Sequence, residues 1–107
     1  MAGTLANGGL NPVTKKVCVS PETVRYVLPV MATAGLYDDS GQWLYATGAP
    51  AKSGVGGGII AVVPGKFGIA VISPPLTPAG NSAKAIQTIK YIIETLGVNP
   101  YQITPKK

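Results

Sequence analysis

Two short apolar runs on either side of a Pro-Gly pair constrain the fold of this chain most. The runs are Gly58–Val63 and Phe67–Ser73, and Pro64-Gly65 lies between them. Proline followed by glycine is typical of a tight turn, so the runs are predicted to pair as an antiparallel hairpin. Because neither run alternates apolar with polar residues, both strands are expected to be covered on both faces.

The segments around the hairpin predict helices. Ser20-Pro21-Glu22 is typical of a helix start, with a capping hydroxyl, a proline in the first turn and an acid at the positive end of the dipole. Pro29 is expected to kink or break this helix, and Gly35 to end it in the C′ position. Its apolar stripe is formed by Val24, Val27, Leu28 and Met31.

Two further helices are predicted at the ends of the chain. Met1–Ala6 has the pattern of a helix end that runs into Asn7-Gly8-Gly9. Near the other end, Asn81-Ser82 predicts the cap of a helix that Gly97 closes. The apolar stripe of that last helix contains Ile86, Ile89, Ile93 and Leu96.

A third strand is predicted over Gly41–Thr47, with Trp43, Tyr45 and Thr47 on one face. The predicted order is therefore helix, three antiparallel strands, helix. This is an α+β fold, an antiparallel sheet flanked by helices. Residues 1–98 are predicted to form the folded unit and residues 99–107 a tail.

Composition excludes several classes of function. Charged residues make up only 12% of the chain, against roughly 25% in an average soluble domain. The nine cations are scattered, so the net charge of +5 does not form the basic stripe that nucleic-acid binding requires. The surface is poor in charge and the apolar faces are numerous, so we expect exposed apolar patches, a covering partner, and a homo-oligomer.

Histidine is absent, which excludes a histidine-based triad and most zinc sites within these residues. Cys18 is the single cysteine, so no internal disulfide can form, and a reducing compartment, the cytoplasm, is expected. No apolar run approaches the roughly 20 residues of a membrane span. No cofactor or metal is predicted.

Lys52-Ser53-Gly54, which precedes a glycine-rich stretch, admits three interpretations. A phosphate loop has its glycines before the Lys-Ser/Thr pair and a helix after it. Here the Lys-Ser pair precedes the glycines, and a predicted strand follows them. Glycines at 54, 56, 57 and 58 could instead mark a bulge or a close backbone approach. The third interpretation is catalytic, because a Lys-Ser/Thr-Gly triplet lies on a strand beside the active site of penicillin-recognising serine enzymes.

The neighbouring motifs resemble the C-terminal part of the serine-dependent glutaminases. The resemblance extends from Met1 to about Leu96, and its strongest motifs are Ala51-Lys52-Ser53-Gly54-Val55, Ser73-Pro74-Pro75-Leu76 and Gly80-Asn81-Ser82. It implies a fold similar to that of the β-lactamases and penicillin-binding proteins. It also implies hydrolysis of L-glutamine to L-glutamate and ammonia through an acyl-enzyme, without a cofactor.

The resemblance assigns expected roles to single residues. Tyr37 matches a tyrosine that lies at the nucleophile and helps to move its proton, and it is expected to contact substrate. Val55 matches the residue whose backbone N–H contributes to the oxyanion hole, a substrate-binding role. Lys52 matches the lysine of the triplet and is expected to give electrostatic support. Ser53 is either a pocket hydroxyl or simply a strand residue, and Asp38 and Asp39 are interpreted as turn residues.

The family's nucleophile, the serine of a Ser-x-x-Lys motif, has no counterpart in this sequence. No serine here is followed by lysine three residues later. The chain is therefore expected to correspond to about the last third of a glutaminase domain, to need the remainder of that domain, and to be inactive alone. The alternatives are another amidase or penicillin-recognising enzyme of the same fold, and a non-catalytic fragment that associates with itself through its sheet edge.

Overall fold

The hairpin around Pro64-Gly65 forms the centre of the fold. In the computed structural model, which describes residues 1–107, strand β2 (Gly58–Val63) pairs antiparallel with β3 (Phe67–Ile72). Strand β1 (Ala51–Gly54) pairs antiparallel with the other edge of β2, so the sheet order is β1-β2-β3. The predicted α+β fold with three antiparallel strands is confirmed.

Four α-helices and one 3₁₀ turn surround the sheet. Ser20 and Ser82 begin two of the helices as predicted, and their side chains accept the N–H groups of Thr23 and Ala85. Gly97 ends the last helix in the left-handed conformation, at φ 62°. The helices are α1 (Ala2–Ala6), α2 (Pro21–Ala34), α3 (Ser40–Thr47) and α4 (Ala83–Leu96), and the 3₁₀ turn covers Tyr37–Asp39.

Helix α2 differs from the prediction at two positions. It is not broken at Pro29 but continues to Ala34, since a proline removes only one hydrogen bond of the helical ladder. Gly35 ends the helix in a right-handed conformation, at φ −76°, and not as a left-handed C′ residue. Glycine is required there for a different reason, because a Cβ atom would overlap the carbonyl oxygen of Ala51 on β1.

The strand predicted over Gly41–Thr47 is wrong, because this segment is helix α3. Trp43 and Thr47 are buried at i and i+4 on one helical face, while Tyr45 between them is 91% exposed. The Trp43 indole N–H donates to the carbonyl of Ala49 at 2.8 Å and fixes the chain just after the helix. The first strand of the sheet is instead Ala51–Gly54, which contains the Lys-Ser-Gly triplet.

The core lies on both faces of β2, as its apolar pattern predicts. Ile59 and Ala61 point to the face covered by α4, and Val62 packs with α1 and α2 on the opposite face. Strand β3 is covered less completely than expected, since Ile72 is 80% exposed. The outer edge of β3 has no neighbouring strand within the chain.

No helix combines the length and the apolar character that crossing a membrane would require.

Candidate functional site

Tyr37 lies directly after the end of α2, in a strained backbone conformation. Its φ is 51°, in the left-handed region that a residue with a side chain rarely adopts. The preceding residue, Leu36, is fully buried in the core, whereas the Tyr37 side chain is 49% exposed. Residues held in such conformations are concentrated at functional sites, where the surrounding structure enforces them.

The hydroxyl of Ser40 holds this strained segment in place. Ser40 Oγ accepts the N–H of Leu36 at 2.8 Å and donates to the carbonyl of Tyr37 at 2.8 Å. The N–H of Asp39 also donates to the carbonyl of Leu36, at 3.0 Å. The carbonyl groups on both sides of the Tyr37 Cα are therefore paired, which holds the backbone of this residue in place.

Lys52 on β1 lies beside Tyr37. Its ammonium nitrogen is 4.9 Å from the centroid of the Tyr37 ring and donates a hydrogen bond to the carbonyl of Ser53. A cation at this distance from an aromatic ring is attracted electrostatically by its face. These two residues, 15 positions apart in the chain, are thus neighbours in the structure.

Ser53 is buried where the end of α2 meets β1. It is 5% exposed, and its N–H donates to the carbonyl of Gly35 at 3.1 Å. Its hydroxyl is 3.4 Å from the same carbonyl oxygen. These contacts join the end of α2 to β1 and thereby set Tyr37 next to Lys52.

Val55 begins the turn between β1 and β2. Its side chain is 69% exposed, so it contributes nothing to the core. Its backbone N–H makes no hydrogen bond within the chain, whereas Gly57 closes the turn by donating to the carbonyl of Gly54 at 3.0 Å. An unpaired N–H at a turn is available to a ligand, as an oxyanion donor must be.

Gly80 lies between Tyr37 and Val55, and the sequence alone does not predict a role for it. A Cβ atom at Gly80 would lie 3.7 Å from Val55 Cγ1 and 4.0 Å from the Tyr37 ring carbons Cδ2 and Cε2. Its φ of 92° also favours glycine. The motif Gly80-Asn81-Ser82 is the sequence feature that could identify this glycine. Nothing in the sequence, however, shows which strand or loop the glycine approaches.

A cleft of about 520 Å³ lies elsewhere, between α3, α4 and the loop around Pro78. Neither Tyr37, Lys52 nor Val55 lines it. The candidate site is therefore on an adjoining surface, on the other side of the loop that contains Gly80. No three His, Cys, Asp or Glu side chains lie close enough together to hold a metal ion.

An antiparallel sheet flanked by helices, with Lys-Ser-Gly on one strand, is the architecture of the β-lactamase-like serine enzymes. Within this class, the chain belongs to the glutaminase family, because the family model described as Glutaminase matches residues 1–101. This is the family that the sequence motifs resemble.

Curated relatives support the same family. A glutaminase of Colwellia psychrerythraea is 59% identical over 99 residues, which are 92% of this chain and 32% of the relative. A glutaminase of Bacteroides fragilis is 51% identical over 100 residues, 94% of this chain and 31% of the relative. The chain thus spans about a third of the length of the curated relatives that it matches.

Solved structures of glutaminases share the fold. The probable glutaminase ybaS superposes with a TM-score of 0.90 at 48% identity, over 94% of this chain and 32% of that one. The Bacillus subtilis glutaminase YbgJ superposes with a TM-score of 0.86 at 29% identity, over 92% of this chain and 36% of that one. The YbgJ structure is a covalent complex with 5-oxo-L-norleucine, formed by reaction with 6-diazo-5-oxo-L-norleucine.

Proposed function

We propose that this chain forms one wall of a glutaminase active site that hydrolyses L-glutamine to L-glutamate and ammonia. Family membership supports this reaction, and so does the covalent complex of YbgJ with a glutamine-like ketone. The nucleophilic serine and its lysine base belong to a part of the domain outside these 107 residues. The roles of Tyr37, Lys52 and Val55 are proposed from their positions and from the family resemblance.

The observation that carries the proposal is the position of Gly80 between Tyr37 and Val55. Val55 Cγ1 and the Tyr37 ring carbons both lie within van der Waals distance of a Cβ atom built on Gly80, so the two residues flank the same small surface, and the N–H of Val55 has no partner within the chain. Acyl transfer needs a group that moves a proton and a donor that stabilises an oxyanion, both within reach of one carbonyl. The surface beside Gly80 is the proposed place for that carbonyl.

The proposed chemistry has two halves. The serine oxygen adds to the carboxamide carbon of glutamine, and the negative charge that develops on the carbonyl oxygen is stabilised by the N–H of Val55. The phenol of Tyr37 passes the serine proton towards the amide nitrogen, and the C–N bond breaks to release ammonia. Water then adds to the acyl carbon and releases glutamate and the serine. The positive charge of Lys52 stabilises the negative charge that develops on the phenol oxygen during proton transfer.

A chimera tests the proposal directly. This chain replaces the matching 99-residue segment of the Colwellia psychrerythraea glutaminase, which contributes the remainder of the domain. We expect the chimera to release ammonia from glutamine, the Tyr37→Phe chimera to be strongly impaired, and the 107-residue chain alone to be inactive. A folded chimera without activity, or glutamine hydrolysis by the chain alone, would refute the proposal.

The homo-oligomer and the cytoplasmic location are proposed on separate grounds. The open edge of β3 and the exposed side chain of Ile72 support association with another polypeptide. Light scattering of the chimera distinguishes a dimer or larger assembly from a monomer. The single, exposed Cys18 supports a reducing compartment, and fractionation of cells that express the protein tests it.

A further inference from the structure

We propose that Asn81 is a positioning residue that holds Tyr37 in its strained conformation, and that it acts together with Asp39. This inference rests on the proposed function of Tyr37 in glutamine hydrolysis. Asn81 is fully buried in the loop that follows Gly80, more than 40 positions from Tyr37 in the chain. Its position in the sequence does not predict a contact with the segment around Tyr37.

The contacts of the Asn81 amide lie on both sides of Tyr37. Its Nδ2 donates to the carbonyl oxygen of Leu36 at 2.9 Å and to Asp39 Oδ2 at 2.8 Å. Leu36 precedes Tyr37 and Asp39 follows two residues later, so one NH₂ group spans the left-handed residue. An amide nitrogen carries two hydrogens, and both are used here.

The other atom of the amide has no partner. Asn81 Oδ1 is buried and accepts no hydrogen bond. The opposite orientation of the amide would direct its oxygen at two acceptors, so the observed orientation is the favourable one. A buried polar atom without a partner opposes folding. The side-chain amide of Asn81 is therefore held within the chain through its two N–H donors alone.

Asp39 in turn is held by the same loop. Its Oδ2 also accepts the hydroxyl of Thr77 at 3.3 Å, and Thr77 Oγ1 accepts the N–H of Asn81 at 3.3 Å. Thr77, Asn81 and Asp39 thus form one network. This network fixes Gly80, immediately before Asn81, against the Tyr37 ring, so the same contacts set the ring and the surface beside it.

A double-mutant cycle in the chimera separates positioning from general stability. We expect Asn81→Ala to lower kcat roughly 10- to 100-fold, with KM changed about twofold at most, because a misplaced catalytic group slows the chemical step. In a Tyr37→Phe background the same substitution should lower kcat less than about twofold. An equal loss in both backgrounds would show that Asn81 does not act through Tyr37.

Asn81→Asp is the matched variant, since it keeps the shape and removes both donors. At neutral pH it brings two carboxylates together and should be as impaired as Asn81→Ala. Two carboxyls that share a site have one pKa raised, so as pH falls through that pKa a proton restores one donor. Asp38 and Lys90, which line the adjacent cleft with Asp39, are unchanged in these variants. The activity ratio of Asn81→Asp to Asn81→Ala should rise as pH falls, and a ratio independent of pH contradicts the inference.

A readout without activity keeps this inference separate from the proposed function. Fluorotyrosine is incorporated into the chimera, and the Tyr37 signal is assigned by its loss in Tyr37→Phe. Asn81→Ala and Asp39→Ala should shift the fluorine signal of Tyr37, while Asp38→Ala, at an exposed neighbour, should not. If the chimera is inactive but the signal shifts, only the proposed function fails. If the signal of folded Asn81→Ala is unchanged, the positioning role is wrong.

Discussion

The ammonium nitrogen of Lys52 lies 4.9 Å from the centroid of the Tyr37 ring. This is within the roughly 6 Å over which a cation is attracted by an aromatic face. A fixed positive charge at this position also stabilises negative charge that develops on the phenol oxygen during proton transfer. On this basis we predict that Lys52 affects the rate of the chemical step.

Replacing Lys52 by methionine should lower kcat of the chimera roughly 2- to 30-fold, corresponding to about 0.5–2 kcal/mol of lost charge stabilisation. Methionine keeps an unbranched side chain of similar length but carries no charge. Steady-state assays of ammonia release measure the effect. Lys66→Met, at an exposed lysine in the β2–β3 turn, is the control and should leave kcat unchanged. Equal activity of the two variants would remove Lys52 from the site.

The backbone N–H of Val55 is predicted to matter more than its side chain. Val55→Pro removes the donor and should lower kcat roughly 10²- to 10³-fold, as the loss of one oxyanion-hole donor does. Val55→Ala keeps the N–H, and because the side chain is 69% exposed its kcat should stay within about twofold of the unmodified chimera. Circular dichroism checks that both variants fold. An active Val55→Pro chimera would exclude this N–H as the oxyanion donor.

The hairpin and the last helix could be predicted from sequence because their signals are local. Pro64-Gly65 marks a turn and Ser82 a helix start, and each requires only neighbouring residues to form. The sequence predicts a strand over residues 41–47 because Trp43, Tyr45 and Thr47 fit the two-residue period of a strand, whereas the segment is helical. Tertiary contacts decide between the two periods: the buried pair is Trp43 and Thr47, which a helix places on one face.

The candidate site was predictable only in part, for a similar reason. Tyr37, Lys52 and Val55 came from the family resemblance, and the contact between Lys52 and Tyr37 agrees with it. Gly80 and Asn81 contact residues that are far away in the chain, so no periodicity or composition reveals their contacts. The strained φ of Tyr37 is also invisible in the sequence, because the hydrogen bonds that enforce it come from Ser40 and Asn81.

Gly35 is predicted to tolerate no side chain. A Cβ atom there would overlap the carbonyl oxygens of Ala51 and Met31, which are backbone atoms of β1 and α2 and cannot rotate away. Gly35→Ala should therefore lower the free energy of unfolding by about 1–3 kcal/mol. Urea denaturation of the chain, followed by the fluorescence of its one tryptophan, Trp43, measures this.

Gly41→Ala is the matched control for Gly35→Ala. No atom lies within 4 Å of a Cβ built on Gly41, which is in the first turn of α3. Alanine favours a helix over glycine by up to about 1 kcal/mol, so this variant should be as stable as the unmodified chain or more stable. Equal destabilisation by both substitutions would mean that α2 does not pack against β1 at Gly35.

The boundary of the folded unit is predicted to lie a few residues beyond Val98. Residues 102–107 are exposed and form neither helix nor strand. Asn99 is different, because its Oδ1 lies against Gly48, where a Cβ atom would overlap it, and accepts the N–H of Tyr101 at 2.9 Å.

Deletion of residues 102–107 should therefore change the free energy of unfolding by less than about 0.5 kcal/mol. Deletion of residues 99–107 should lower it by about 1 kcal/mol or more, because the contact that covers Gly48 is lost with it. Urea denaturation of the two shortened chains measures the difference. If both deletions have the same effect, the tail begins at Asn99, as the sequence predicts. If only the longer deletion destabilises, residues 99–101 belong to the folded unit.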